Sequence, residues 1–334
     1  MYAKRIIYFL YYLKDMDWSK FFRFLRIARV SSGKTSIVLL FDIVISSLRY
    51  NISILDYFYF GFYVRNSLER SKWAGTGYMY EFQLHMNPRG VREILENKIL
   101  FLNSYSDFVR RRFTDIDQLA KNRDLLNEML ANSSGRLVLK FSRGQIGKEV
   151  EVIDCPDFTP DRLLKFSKVR GYDLVEEYVV QHPSLMQLSP SGLNTVRIFT
   201  QVTSDDVEII GARLRVSVNS PVDNMAAGNM AVPVDILTGL TNGPGVFSDI
   251  AKDDCYIHPV TQKSVINFQI PFWNEVLDFV RKAARAHPEN RSVGWDIAIT
   301  ADGPELIEGN HNWCKLLLQL PVKRGMKAEL DCYL

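Results

Sequence analysis

Helical spacing of apolar positions dominates the first 130 of the 334 residues, and strand spacing dominates most of the rest. Residues 6–30 set aliphatic and aromatic side chains around Lys14, Lys20, Arg23, Arg26 and Arg29, the three arginines falling every third residue. That pattern predicts a helix with a cationic side and a broad apolar face. Residues 35–48 are apolar except for Asp42 and are too few to cross a bilayer. Residues 56–63 add an aromatic cluster. Residues 81–130 read as helical and connecting. They hold a turn at Asn87-Pro88-Arg89-Gly90, a helix candidate at 92–100 that carries Lys98, and a basic knot, Arg110-Arg111-Arg112, expected on a solvated face. Thr114 and Asp115 are placed to cap a helical pattern that continues to Leu130.

Strand patterns begin at Leu137-Val138-Leu139-Lys140-Phe141, followed by Ser142-Arg143-Gly144-Gln145-Ile146-Gly147-Lys148 and a second strand from Glu149. Two glycines and several polar residues in such a loop suit closure over phosphates, with backbone N–H donors and Lys140 as a point charge. An ordinary hairpin has the same pattern. The strand at 172–180 contains Glu176 and Glu177 side by side, so one carboxylate has to point away from the core. Asn194 and Arg197 stand just before and within the next strand. Arg213 and Arg215 alternate on the strand after it, facing either a cleft or solvent. Residues 294–310, GWDIAITADGPELIEGN, read as a hairpin with a turn at Ala301-Asp302-Gly303-Pro304. Glu308 and Asn310 then share a face, and Asp296 sits across from them if the strands pair in register. Two carboxylates and an amide oxygen make a hard ligand set suited to Mg²⁺ or Mn²⁺. Solvent-facing acids on an edge hairpin are the competing reading.

Composition adds two constraints. Residues 1–72 hold 12 Lys/Arg against 5 Asp/Glu, leaving the remainder near −4 within a net charge of +3. The basic front segment is therefore expected either to pack on the body or to touch an anionic membrane, and no nucleic-acid module is recognisable. Cysteines 155, 255, 314 and 332 show neither metal spacing nor a disulfide framework, which fits a reducing cytoplasmic setting. No serine, histidine or cysteine stands at triad spacing, which disfavours nucleophilic hydrolysis.

The order of these stretches resembles the sugar-transfer-associated ATP-grasp family. The agreement runs through KILF (98–101), LVLKFSRGQIGKEV (137–150), LVEEYVVQHPSL (174–185), LSPSGLNTVRIFT (188–200), VDN (222–224), VDILTG (234–239) and the 294–310 hairpin. The chain departs from the family in having Ala227-Gly228-Asn229 where a Gly-Gly pair is frequent, and in a loop leaner in glycine. The resemblance implies an α+β fold with ATP held between two α+β lobes, behind a basic, aromatic-rich helical segment. The expected divisions are 1–80, 81–130, 131–183 and 184–334. It implies phosphates on Lys98 and Lys140 under a loop containing Ser142, Gly144 and Gly147. Adenine and ribose would lie against Glu176, Glu177 and Val179. Mg²⁺ would lie on Asp296, Glu308 and Asn310, with Asn194, Arg197 and Arg213 acting on phosphate or the acyl intermediate. The implied chemistry is ligation of a carboxylate to an amine through an acyl phosphate, on an acidic sugar or a small or lipid-linked precursor of a capsule or exopolysaccharide. A kinase on the same scaffold and a non-catalytic ATP-binding partner of a glycan-assembly complex are the alternatives.

Overall fold

The computed structural model describes residues 2–143, 150–221 and 223–334. Four helices come first: α1 (Tyr2–Lys14), α2 (Trp18–Ser32), α3 (Ser36–Tyr50) and α4 (Ile54–Tyr59). Their ends follow local chemistry. Asp17 and Thr35 cap α2 and α3 by accepting from the Lys20 and Val38 backbone N–H groups, and Ser53 and Asp56 form a reciprocal capping box on α4. Between α2 and α3, Gly33 takes φ +68°, where a left-handed residue ends the helix and a side chain would be strained.

These helices build their own core from Phe21, Phe24, Leu39, Ile43, Tyr57 and Phe58, with the Phe60 ring stacked 4.6 Å from Trp73. Asp42, the one acid in the apolar run of α3, is clamped by Arg70 at 2.6 and 2.8 Å and accepts the Tyr57 hydroxyl at 2.8 Å. The block is joined to the rest of the chain by buried polar links. Lys315 Nζ lies 3.1 Å from Asp56, and the Gln319 amide bonds both backbone groups of Ala74.

Two antiparallel sheets form the body. The first has order β1-β4-β2-β3, from β1 (Phe113–Asp115), β2 (Arg136–Lys140), β3 (Val150–Asp154) and β4 (Leu174–Glu177). Alternation in β2 sends Leu137 and Leu139 into a core with Leu119, Leu126, Met129 and Leu163 from three flanking helices. Val138 and Lys140 consequently face the other way. The stretch expected to be helical and connecting supplies β1, and Asp115 both ends that strand and caps the next helix through the Gln118 N–H.

The second sheet has order β7-β6-β5-β8-β9, from β5 (Thr195–Val202), β6 (Val207–Val216), β7 (Met230–Val234), β8 (Ser292–Thr300) and β9 (Gly303–Asn310). Val196, Ile198, Leu214, Ile297 and Ile299 pack with Val276, Val280 and Ala283 of the helix Trp273–Ala286. The opposite face carries the charged residues. In the β8–β9 hairpin Asp296 pairs with Glu308 and Gly294 with Asn310, the register required for convergence, with an irregularity after Asp296.

Candidate active site

A cleft of about 520 Å³ lies between the two sheets. The first sheet lends it Val138, Lys140, Glu176, Tyr178 and Val179. The second lends Thr195, Arg197, Arg215, Asp296, Glu308 and Asn310, and Lys98 enters from the helix Lys98–Ser104. The volume is within the ordinary range for a small-molecule site.

On the first-sheet wall, Lys140 Nζ donates to Glu176 at 2.7 Å, and Arg111 Nε donates to the same carboxylate at 2.5 Å. Burial alone would raise the Glu176 carboxyl, but the Arg111 guanidinium and the Lys140 ammonium outweigh it and hold it at about 2. Glu176 therefore positions the lysine, in place of the ribose contact that the family resemblance implied for it. Glu177 also lines the cleft and accepts the Arg112 backbone N–H at 3.0 Å. Val179 and Tyr178 line the cleft, with the Arg136 guanidinium 3.7 Å from the Tyr178 ring centre. Lys98 Nζ reaches the Phe141 carbonyl at 3.1 Å on the same wall.

Arg111 corrects the expectation of a solvated basic knot. It is buried, and besides Glu176 on β4 it binds Glu305 on β9 at 2.7 Å and the Leu306 carbonyl at 2.8 Å. Two acids lying far along the chain draw it inward, and an Arg-Arg-Arg run gives no sign of either.

On the second-sheet wall Asp296 is bound through Nε and Nη2 of Arg197 and, at 2.6 Å, by Arg215. Burial opposes its ionisation, and the two guanidinium groups reverse that and hold the carboxyl well below the usual range. Arg215 also binds Asp223 at 2.7 Å, and Asp223 accepts the Thr195 N–H and hydroxyl at 2.8 and 2.5 Å. Burial, opposed by Arg215 but reinforced by Asp296, pushes the Asp223 carboxyl up. Glu308 stands on the cleft floor, with 41% of its side chain reachable by solvent and protein packed around the rest. That partial desolvation and the adjacent Asp296 carboxylate raise its pKa. The Asn310 amide nitrogen donates to Glu308 at 3.2 Å and to the Gly294 carbonyl at 3.3 Å, which leaves the amide oxygen as its ligating atom.

Three predicted residues, Asn194, Arg213 and Ser142, do not line the cleft. Asn194 is fully buried, its amide bonded to Gln181, Ser189 and Ser217, so it ties the start of β5 to the end of β6. Arg213 shares a face with Arg215 but lies one repeat further along β6, where it donates to the Leu318 and Ala212 carbonyls. Arg215 takes the cleft position instead. Burial without a carboxylate partner lowers the Arg213 pKa. Ser142 also departs from its expected role, since its N–H and hydroxyl both bind Asp173, at 2.6 and 2.5 Å. Gly144 and Gly147 lie outside the described residues.

The donors fit a hard divalent cation. Among the described residues no group of three or more His, Cys, Asp or Glu forms a metal cage. Glu308 and the Asn310 oxygen instead offer a partial oxygen set that Mg²⁺ would complete with phosphate oxygens and water, whereas both oxygens of Asp296, the third expected ligand, are taken by arginines. Three buried or half-buried acids, Asp223, Asp296 and Glu308, face two arginines, and the surplus negative charge favours a cation.

Two antiparallel sheets with flanking helices, closed on a cleft that has lysines on one wall and an acid–amide set on the other, define an ATP-grasp protein. The chain belongs to the sugar-transfer-associated ATP-grasp family, whose profile matches residues 162–332, just over half of it. That range takes in β4 and the whole second sheet, whereas Lys98 and Lys140 lie ahead of it. No curated protein matches the chain. Among solved structures it is similar to D-alanyl-alanine synthetase A from Vibrio cholerae, with 10% identity, 72% of this chain and 60% of that one covered, and a TM-score of 0.42. It is also similar to an L-amino acid ligase from Bacillus licheniformis (12%, 71% and 49% covered, TM-score 0.40). A third is an ADP complex of N5-carboxyaminoimidazole ribonucleotide synthetase (12%, 66% and 45% covered, TM-score 0.40). The chain spans about half the length of several structures it matches.

Proposed function

We propose that the protein is an ATP- and Mg²⁺-dependent carboxylate–amine ligase acting on an acidic sugar or a surface-polysaccharide precursor. The observation that carries this reading is the opposition across one cleft of Lys98 and Lys140 to Asp296, Glu308 and Asn310, with Arg197 and Arg215 beside them. A carboxylate attacking a polyphosphate brings anions together, and the cations on both walls offset that repulsion. In this reading adenine lies against Tyr178 and Val179, and the phosphates lie between Lys98 and Lys140. Glu308 and Asn310 hold Mg²⁺, which would neutralise charge on the transferring phosphoryl group.

A substrate carboxylate oxygen attacks the γ-phosphorus, the bond to the β-phosphate oxygen breaks, and ADP leaves. The amine then attacks the acyl carbon, phosphate leaves, and the amine gives up a proton. The first step needs no protein base because the attacking carboxylate is already ionised, which suits a cleft without a catalytic triad. Arg197 and Arg215 are the groups placed to orient an acyl phosphate. The family's link to sugar transfer supports a saccharide acid, either small or lipid-linked, as acceptor. We read the protein as cytoplasmic, which four unpaired cysteines support.

The test is ATP turnover with Mg²⁺ across a panel of uronic acids and amines, with ADP and free phosphate both followed and Glu308→Gln run beside the parent. Joint release of ADP and phosphate that requires both an acid and an amine supports the ligase. ADP without free phosphate assigns a kinase, and nucleotide binding with no turnover on any pair assigns a non-catalytic partner.

A further inference from the structure

The helix α3 is apolar on both sides. Leu39 and Ile43 face the core, while Ile37, Val38, Phe41 and Ile45 on the opposite side are 68%, 51%, 68% and 58% exposed. A helix apolar all round is normally covered on all sides. Helix α1 lies along α3, with Arg5 donating to the Leu48 and Arg49 carbonyls, and it adds exposed Ile6, Ile7, Leu10 and Tyr11. This many exposed apolar side chains on two adjacent helices mark a docking face.

Charge identifies the occupant. Lys4, Lys14, Arg26, Arg29, Lys34 and Arg49 are carried by α1, α2, α3 and the connection between α2 and α3. The three acids of residues 1–50 are Asp15, Asp17 and Asp42, and Asp42 is already taken by Arg70. At the α1–α3 edge a recess of about 900 Å³ is walled by Lys4, Arg5, Arg49 and Lys327, with Glu81 the only acid among its lining residues. A second copy meeting this face about a two-fold axis would set basic rim against basic rim. A layer of anionic headgroups over acyl chains matches both the charge and the apolarity.

No single helix among the described residues is long and apolar enough to cross a membrane. The pair α2 and α3 passes that test only together and is bent by 107°. Fifteen residues of helix span roughly 22 Å, short of a bilayer core. We infer that α3 and α1 lie in the surface of an anionic bilayer, with the apolar face among the acyl chains and the basic rim at the headgroups. This inference is independent of the ligase reading, since it needs no turnover.

The experiment is flotation of the full chain with vesicles of phosphatidylcholine alone and of phosphatidylcholine mixed with phosphatidylglycerol. The protein is expected to float with the mixed vesicles and to lose binding as salt rises. The pair Phe41→Glu and Ile45→Glu, on solvent-facing positions, is expected to abolish flotation while circular dichroism stays unchanged. The pair Arg26→Glu and Arg29→Glu is expected to weaken it by roughly twentyfold. Failure to float with either vesicle overturns the inference, as does flotation that survives Phe41→Glu and Ile45→Glu. A dimer in sedimentation velocity that the same pair converts to monomer would give the face to a second copy, and so overturns it too.

Discussion

The two walls of the cleft bury carboxylates under opposite charge balances. On the first-sheet wall Glu176, together with Glu305 reaching over from β9, meets Arg111 and Lys140, so the buried charges cancel. On the second-sheet wall Asp223, Asp296 and Glu308 meet Arg197 and Arg215, and one negative charge is left over. The pKa values follow that difference except at Asp296, which its two arginines hold low. Glu176 is held at about 2, whereas Glu308 and Asp223 are pushed above their ordinary values. A balanced cluster fixes the geometry of the lysine it contains. An unbalanced one leaves a surplus negative charge, which suits the Mg²⁺ proposed to bind there.

The largest expected effect comes from breaking the arginine clamp on the second wall. Asp296→Asn leaves Arg197 and Arg215 facing each other with less compensation and is expected to lose about 3–5 kcal/mol in a urea denaturation series. A variant as stable as the parent would show that the clamp contributes little.

Glu176→Gln tests the balanced wall. Because the folded Glu176 pKa is lowered, the unfolded chain binds more protons. Its contribution is therefore full above the unfolded value near 4.5 and is lost as pH falls towards 2. The shift corresponds to about 3 kcal/mol at neutral pH. The parent is expected to lose that stability between about pH 4.5 and 2, and Glu176→Gln to show a flatter acid limb. Equal acid limbs would contradict the assigned charge balance.

Arg213→Met, on the cleft face of the same sheet but sealed under the Leu318 segment, removes bonds to the Leu318 and Ala212 carbonyls and is expected to cost about 1–2 kcal/mol. ATP turnover should be unchanged, and a large loss of turnover at normal stability would return Arg213 to the cleft. The smallest effect on stability is expected from Glu308→Gln, about 1 kcal/mol or less, since it removes the surplus charge. Its Mg²⁺ affinity, read by titration calorimetry with nucleotide present, should nevertheless fall by about tenfold or more.

The hairpin at 294–310 was legible because register and function share one local pattern. Alternation fixes which side chains share a face, and the turn between the strands fixes their pairing. Lys140 was legible for the same reason, as one polar position on an apolar strand. Arg111, Asn194 and Ser142 were not, because their partners are set by tertiary packing. Arg111 finds Glu176 and Glu305 at separations of 65 and 194 residues, and Ser142 finds Asp173 across 31. The choice between Arg213 and Arg215 was also closed to sequence. Strand periodicity puts both on one face, and only the covering segment around Leu318 decides which is sealed.

Arg111 has a mechanical meaning as well as an electrostatic one. Its guanidinium is bonded to β4 of one sheet and β9 of the other, so it works as a fulcrum between two levers. A change in the angle between the sheets that kept both bonds would turn about this point, with displacement growing with distance from it. Lys140, bonded to the same carboxylate, sits almost on the pivot and hardly travels. The edge strand β3 is two strands beyond β4, roughly 10 Å out at the usual spacing. A tilt of about 10° would carry it only about 2 Å at that radius, and would leave Lys140 in place.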